Sequence, residues 1–393
     1  MLKILMEERV SLCMKKSNLL ITVMFSLCLT GCNIDAANSG TEIVKDMIGR
    51  EISITVGSYK RVVCIGAGAL RLYSYVGDLS LLCGVEDIDN YAINDRPKMF
   101  DDVARPYMLA YKDYFYNLPS VGRGGPNAQI MEVEKILNVN PDIIISEYED
   151  ADKTLSLEKQ VGVPVVTVAY GSKGVFDEKI NQSISLLGKI FDKNERSKQI
   201  NSFIQKEKND IFNKTKNIDD SSKKNVYICG LGNYGTTNHL MTVQNYEPFN
   251  VAHIKNVVSD LPFDGIQKIE EEKFIDLGKN MDVMIFDAAA MKNIIPLYKQ
   301  NSEIFSSCNA FKTGEVYLEM AYNAYYTNIE IALANTWFIA KCVYPDLFTD
   351  LNMETKLNEI TNVFLGKDLK DEIYDCKFSY GGYQKINIEE FFK

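Results

Sequence analysis

Three features of this 393-residue sequence predict an α/β fold of two Rossmann-like lobes, each with a central parallel sheet, joined by one long α-helix. Apolar runs of four or five residues alternate with helical segments, the pattern of parallel strands covered on both faces. The pattern is repeated. Lys60-Arg61-Val62-Val63-Cys64-Ile65-Gly66-Ala67-Gly68 reads as a buried strand entering a glycine turn, and Lys224 to Gly232 repeats it. Between the repeats lies a purely helical stretch.

Taken in order, the chain begins with Lys15-Lys16, the largely apolar run Leu19 to Leu29, and Leu29-Thr30-Gly31-Cys32. A run of about 11 residues is too short for a bilayer span, which takes ~20, so residues 1–31 are predicted to be a cleaved secretory signal. Met14 is an alternative start, since Glu7 and Glu8 suit a signal poorly. Residues 32–40 form a tether. The remaining ~350 residues are long for one core and suit two lobes, placed at 41–175 and 221–393 with a helical segment at 176–220.

In the first lobe the helical segment Glu132 to Leu137 leads into the strand Pro141 to Ser146. In the second, Glu271 to Ile275 leads into Met281 to Phe286. Ile180, Ile184, Leu187 and Phe191 recur at helical spacing, followed by Ile200, Phe203, Ile204 and Ile211. A helix over Glu195 to Asn217 would reach ~35 Å at ~1.5 Å per residue, and a single stiff connector implies a modest hinge. Asn328 to Tyr344 reads as an amphipathic helix, with further helices after Leu351.

Composition narrows function. The net charge is −10, and loss of the presequence, with four basic and two acidic residues, takes it to about −12, unfavourable for nucleic acid. Cys64, Cys83, Cys229, Cys308, Cys342 and Cys376 lack the short spacing of zinc sites and read as small buried hydrophobes. With His239 and His253 as the two histidines, no G-x-S-x-G and no H-E-x-x-H, the sequence points to binding, not catalysis. Neither a cofactor nor a directly bound metal ion is expected. Gly230-Leu231-Gly232-Asn233-Tyr234-Gly235 matches a dinucleotide fingerprint, but Thr236-Thr237-Asn238 is a poor helix start and no acidic residue ends a second strand about 20 positions later.

The ligand candidates lie in loops. Arg71, Arg105 and Arg123 sit in or beside glycine- or proline-bearing loops and suit planar contacts to carboxylate, phosphate or catecholate oxygens; the structural alternative is pairing between elements. Glycines at Gly66 and Gly68 allow close backbone approach. Tyr107, Tyr111, Tyr114 and Tyr116, and again Tyr322, Tyr325 and Tyr326, offer flat faces with polar tips.

The Leu29 to Cys32 segment resembles a lipobox. With Asp46-Met47-Ile48-Gly49-Arg50-Glu51, the Arg61 to Ile65 strand, the Glu134 to Ile145 segment and the long connector, the chain resembles the helical-backbone (class III) substrate-binding proteins of ABC importers for ferric siderophores, haem and cobalamin. The resemblance implies lipidation at Cys32 and a place at the outer face of the cytoplasmic membrane. It also implies a monomer that passes its cargo to a permease and ATPase, the cargo being a large anionic metal complex: ferric chelate, haem or corrinoid. Permease docking would fall to Glu134 and to Glu272, with Glu271 or Glu270 as alternatives for the second. Ligand contacts would fall to Gly66, Ala67, Arg71, Arg105, Arg123, Asn127, Tyr148 and Tyr170 in the first lobe, and to Tyr234, His239, Tyr322 and Tyr325 in the second. The Asp87 to Asn117 insertion departs from many members. An extracellular enzyme or a surface sensor on the same scaffold is the alternative.

Overall fold

The computed structural model describes residues 40–125, 131–232 and 237–393; the signal segment, Cys32, Asn127 and Tyr234 lie outside them. After a hairpin of β1 (Thr41–Lys45) and β2 (Glu51–Thr55), the first lobe is built on β3 (Val62–Ile65), β4 (Leu82–Gly84), β5 (Ile143–Ser146) and β6 (Val165–Thr167). They form one all-parallel sheet in the order β4-β3-β5-β6. The second lobe holds β7 (Asn225–Cys229), β9 (Lys255–Asn256), β11 (Val283–Asp287), β12 (Val316–Glu319) and β13 (Gln384–Lys385), ordered β13-β12-β11-β7-β9 and parallel except at β13.

A matching clamp fixes the strand starts in both lobes. Asp142 accepts from the backbone N–H of Lys60 at 2.7 Å and of Arg61 at 3.0 Å, and its own N–H donates to the Arg61 carbonyl. Asp282 accepts from the N–H of Asn225 at 2.7 Å, and its N–H donates back to the Asn225 carbonyl. The paired register Val62↔Ile143 is thereby echoed by Val226↔Val283.

Alternate strand residues enter different cores, as period-2 geometry requires. Val63, Ile65, Ile144 and Val165 pack under the helices Val133–Asn138 and Ala151–Val161 on one face of the first sheet. Val62, Cys64, Ile143 and Ile145 face the other way, into a core that runs on through Val226, Ile228, Val283 and Ile285 of the second lobe. This continuous apolar core favours small relative motion of the lobes.

The connector helix, Asn194–Thr215, buries Ser197, Ile200, Ile204, Glu207, Ile211 and Thr215. Glu207 is held at its core position by Trp337 Nε1 at 2.6 Å and Lys356 Nζ at 3.3 Å. The helix Ile329–Val343 differs from the amphipathic expectation: all its residues except Lys341 are buried. The sheet covers one side of it, while the connector and the helix Met353–Leu365 cover the others. The glycine-rich strand end at β7 leads to a second strand, β8 (Met241–Val243), through a Gly230 N–H to Met241 carbonyl bond, not into the helix that a dinucleotide site needs. Among the described residues no helix is long and apolar enough to cross a membrane, and the six cysteines there are unpaired.

Candidate functional site

In open α/β sheets ligands lie beyond the carboxyl ends of the strands, and here direct contacts join the two lobes beside those ends. The first lobe contributes the turn after β3. Gly66 and Gly68 have φ of 87° and 83°, the left-handed region that glycine tolerates. A Cβ on Gly68 would lie 2.5 Å from the Tyr170 hydroxyl, which donates to the Gly68 carbonyl at 2.9 Å. Ala67 packs against the second-lobe core. Tyr170 stacks on Tyr326 of the second lobe, centroids 4.6 Å apart and planes 27° apart.

Arg71 crosses between the lobes. It lies in the helix Ala69–Val76 with 0% exposure. Nη1 donates to the Thr327 carbonyl at 3.0 Å and to Tyr170 Oη at 3.2 Å. Nη2 donates to the carbonyls of Ala324 and Tyr325 at 3.0 and 2.9 Å. These acceptors sit in a turn where Tyr325 and Tyr326 both hold positive φ, 55° and 70°, a costly conformation for side chains of that size. Further bonds join the lobes, among them Tyr75 Oη to Glu330 Oε2 and Tyr325 Oη to Glu86 Oε2, each 2.7 Å. The Gly125 N–H donates to Tyr325 Oη at 3.1 Å.

The arginine wall expected from sequence is thus a latch built into the protein. Arg105 is likewise buried, paired with Asp89 at 2.6 Å and bonded to Tyr107, Tyr91 and the Ile88 carbonyl. It orders the insertion, whose Phe100 and Val103 pack into the second-lobe core and whose Tyr111 donates to the Leu365 carbonyl at 2.6 Å. Arg123 is exposed, 3.3 Å from the Asp95 carbonyl. A bonded guanidinium gives a ligand oxygen little, so Arg71 and Arg105 are not offered to an anion.

His239 also departs from expectation. Its ring lies edge-on to Phe274 and Phe305, both nitrogens lack a hydrogen-bond partner among the described residues, and burial pushes its pKa down to about 4. It is a neutral core imidazole. Tyr148 is half-buried beside the first-lobe core. Tyr322 is half-buried, its carbonyl accepting from Asn328. Glu134 and Glu272 are exposed in the first turns of Val133–Asn138 and Glu271–Gly278, one helix in each lobe.

Sequence reasoning missed the buried carboxylates except Glu147, which lies with Tyr148 in a loop that the resemblance implies as ligand-facing. Glu86 and Glu147 of the first lobe and Asp287, Glu319 and Glu330 of the second are all buried, and among the described residues none has an ion-pair partner. Asp287 and Glu319 end adjacent parallel strands in direct register. Burial pushes Glu86 up to about 7, and burial with Glu149 and Glu86 pushes Glu147 up to about 9. Asp287 is raised by burial, and Glu319 by burial and by Asp287. For three of them the signal in the sequence is position: Asp287 and Glu319 end buried strands and Glu147 directly follows one.

The periplasmic binding protein family model matches residues 104–319. No curated protein matches the sequence. Among solved structures, a periplasmic solute-binding protein from Veillonella parvula is 19% identical, with a TM-score of 0.64 over 90% of this chain and 98% of its own. The molybdate periplasmic binding protein MolA of Haemophilus influenzae is 15% identical, with a TM-score of 0.62 over 83% of this chain and 98% of its own. CeuE of Helicobacter pylori, in a nickel–histidine complex, is 15% identical, with a TM-score of 0.57 over 85% of this chain and 98% of its own. At such identities the likeness bears on the fold. The match over more than half of the sequence is decisive: the chain belongs to the periplasmic binding protein family, the solute-binding components of ABC importers and not enzymes.

Proposed function

We propose that the protein is the membrane-tethered capture component of an importer for a large metal–chelate complex, a ferric siderophore first, with a corrinoid or haem as the alternative in the same class. The observation that carries this reading is the stacked pair Tyr170–Tyr326, one ring from each lobe, beside the carboxyl ends of both sheets. Tyr170 is buried and backs one face of Tyr326, so the half-buried Tyr326 ring is the one that would offer a flat face with a polar edge to a planar ligand. Fold relatives named for cargoes as different as molybdate and nickel–histidine leave the cargo to be read from this cleft's own residues.

In this reading the lobes capture ligand with limited closure, since one helix and a shared core join them. Lipidation at Cys32 would hold the protein at the outer membrane face, and two or more acyl chains would make that hold firm. Glu134 and Glu272 would meet the permease, one from each lobe. The test is a thermal-shift series on residues 33–393 with ferric hydroxamates, ferric catecholates, haem and cobalamin. A ligand at ~100 times its dissociation constant stabilises by about 2.7 kcal/mol. Selective stabilisation by one class supports the reading, and no shift with any class contradicts it.

A further inference from the structure

We propose that the cleft recognises a positive charge on its ligand, and that Asp287 and Glu319 are the residues that take it. This deepens the chelate-capture reading and rests on it. The two acids end β11 and β12 in register, at the crevice end of the sheet. Both show 0% exposure. The Ala289 N–H donates to Asp287 Oδ1 at 2.8 Å, but among the described residues Asp287 Oδ2 and both Glu319 oxygens have no donor.

Folding gains nothing from such an arrangement. A buried carboxyl without a partner is destabilising, and two side by side repel when ionised. Retention of unpartnered polar atoms at this end of the sheet therefore points to something that arrives there. A cation supplies the missing charge and, as an ammonium or guanidinium, the missing donors.

The neighbourhood suits an organic cation better than a bare metal ion. Burial and, to a lesser degree, the two acids raise the Tyr246 and Tyr322 phenols, and aromatic rings in such surroundings favour cationic groups. No group of three or more metal-ligating side chains exists among the described residues. Across the cleft the first lobe presents Glu86 and Glu147, while Arg71 is bonded to the 324–327 turn. The buried Asp287 and Glu319 carboxyls are held towards their protonated forms, and a cation reaching them would favour ionisation.

The test compares two ferric trihydroxamates that share an iron centre, one with a pendant primary ammonium and the other N-acetylated, by calorimetric titration. Wild-type protein should bind the ammonium form at least ~10-fold more tightly, a difference of ~1.4 kcal/mol. In Asp287→Asn/Glu319→Gln, confirmed folded by circular dichroism, that ratio should fall towards one. Equal affinities in the wild type, or an unchanged ratio in the variant, overturn the proposal. If neither chelate binds, and none of the wider series shifts the protein, the chelate reading fails separately. Thermal shifts with 1,4-diaminobutane against 1,4-butanediol then decide the charge question. Selective stabilisation of the wild type by the diamine, absent in the variant, supports it, and equal shifts overturn it.

Discussion

The two lobes begin their central strands in the same way and end them differently. Asp142 and Asp282 clamp the neighbouring strand in each lobe, and five residues further on each chain places a buried acid, Glu147 or Asp287. In the first lobe the neighbouring strand ends at Thr167, opposite Ser146, so no second acid stands beside Glu147 in the ladder. In the second, Glu319 lies in register with Asp287. The first lobe also sends a cation, Arg71, into the other's turn, where it meets carbonyls. A shared scaffold thus carries an uneven charge pattern: the first lobe provides the latch, and the second keeps an uncompensated acidic end.

The sharpest way to break this comparison is to remove the latch. Arg71→Met would remove the arginine's bonds to three carbonyls of the 324–327 turn, leaving Ala324 with its bond from Asn328, and breaking a buried charged network of this kind costs ~3–5 kcal/mol. Urea denaturation should show that loss, while exposed Arg123→Ala should stay within ~0.5 kcal/mol. Equal, small effects would mean that the lobes are held by apolar packing alone.

A second test uses the buried acids. Glu86, pushed up to about 7, and Glu147, pushed up to about 9, keep protons in the folded state that an unfolded glutamate releases near pH ~4.3. The folded chain therefore binds more protons than the unfolded one in this window. Stability is full below pH ~4.3 and falls as pH rises through 7 and then 9, at up to ~1.4 kcal/mol per pH unit for each group. Arg71 opposes the Glu147 shift while Glu149 and Glu86 enlarge it. Glu147→Gln should flatten the denaturation profile between pH 5 and 8. A wild-type profile that rises over that range would contradict the assignment.

The clamps supply a smaller contrast. Asp142→Ala loses acceptance from two backbone N–H groups and Asp282→Ala from one. The expected costs are ~1–2 and ~1 kcal/mol, read from chemical denaturation. The smallest effect belongs to His239→Phe. Replacing a buried neutral ring that lacks partners should leave ligand affinity unchanged and stability equal or higher by up to ~1 kcal/mol. A large loss of affinity would return His239 to the binding surface.

These residues also show what the sequence could disclose. Strand runs such as Ile143–Ser146 and Val283–Asp287, and the helical spacing of Ile200, Ile204 and Ile211, are local signals, so the two sheets and the connector were legible. Arg71 was legible as an unusual residue but not as a latch, because its acceptors at 324–327 lie about 250 positions away. The tyrosine clusters divided in the same manner: Tyr170 and Tyr326 meet across the cleft, whereas Tyr107 and Tyr111 bond within the insertion and to the Leu365 carbonyl. Asp287 and Glu319 were hidden for another reason. Each is a single acid at the end of an apolar strand, and only the pairing of β11 with β12 sets them side by side.

The most direct test of the account is anomalous diffraction at the iron edge from crystals grown with the chelate that stabilises the protein most. The account predicts a peak between the lobes, beside the Tyr326 ring and the Asp287–Glu319 end of the second sheet. A peak on an outer surface, or an empty cleft in saturated crystals, would contradict it.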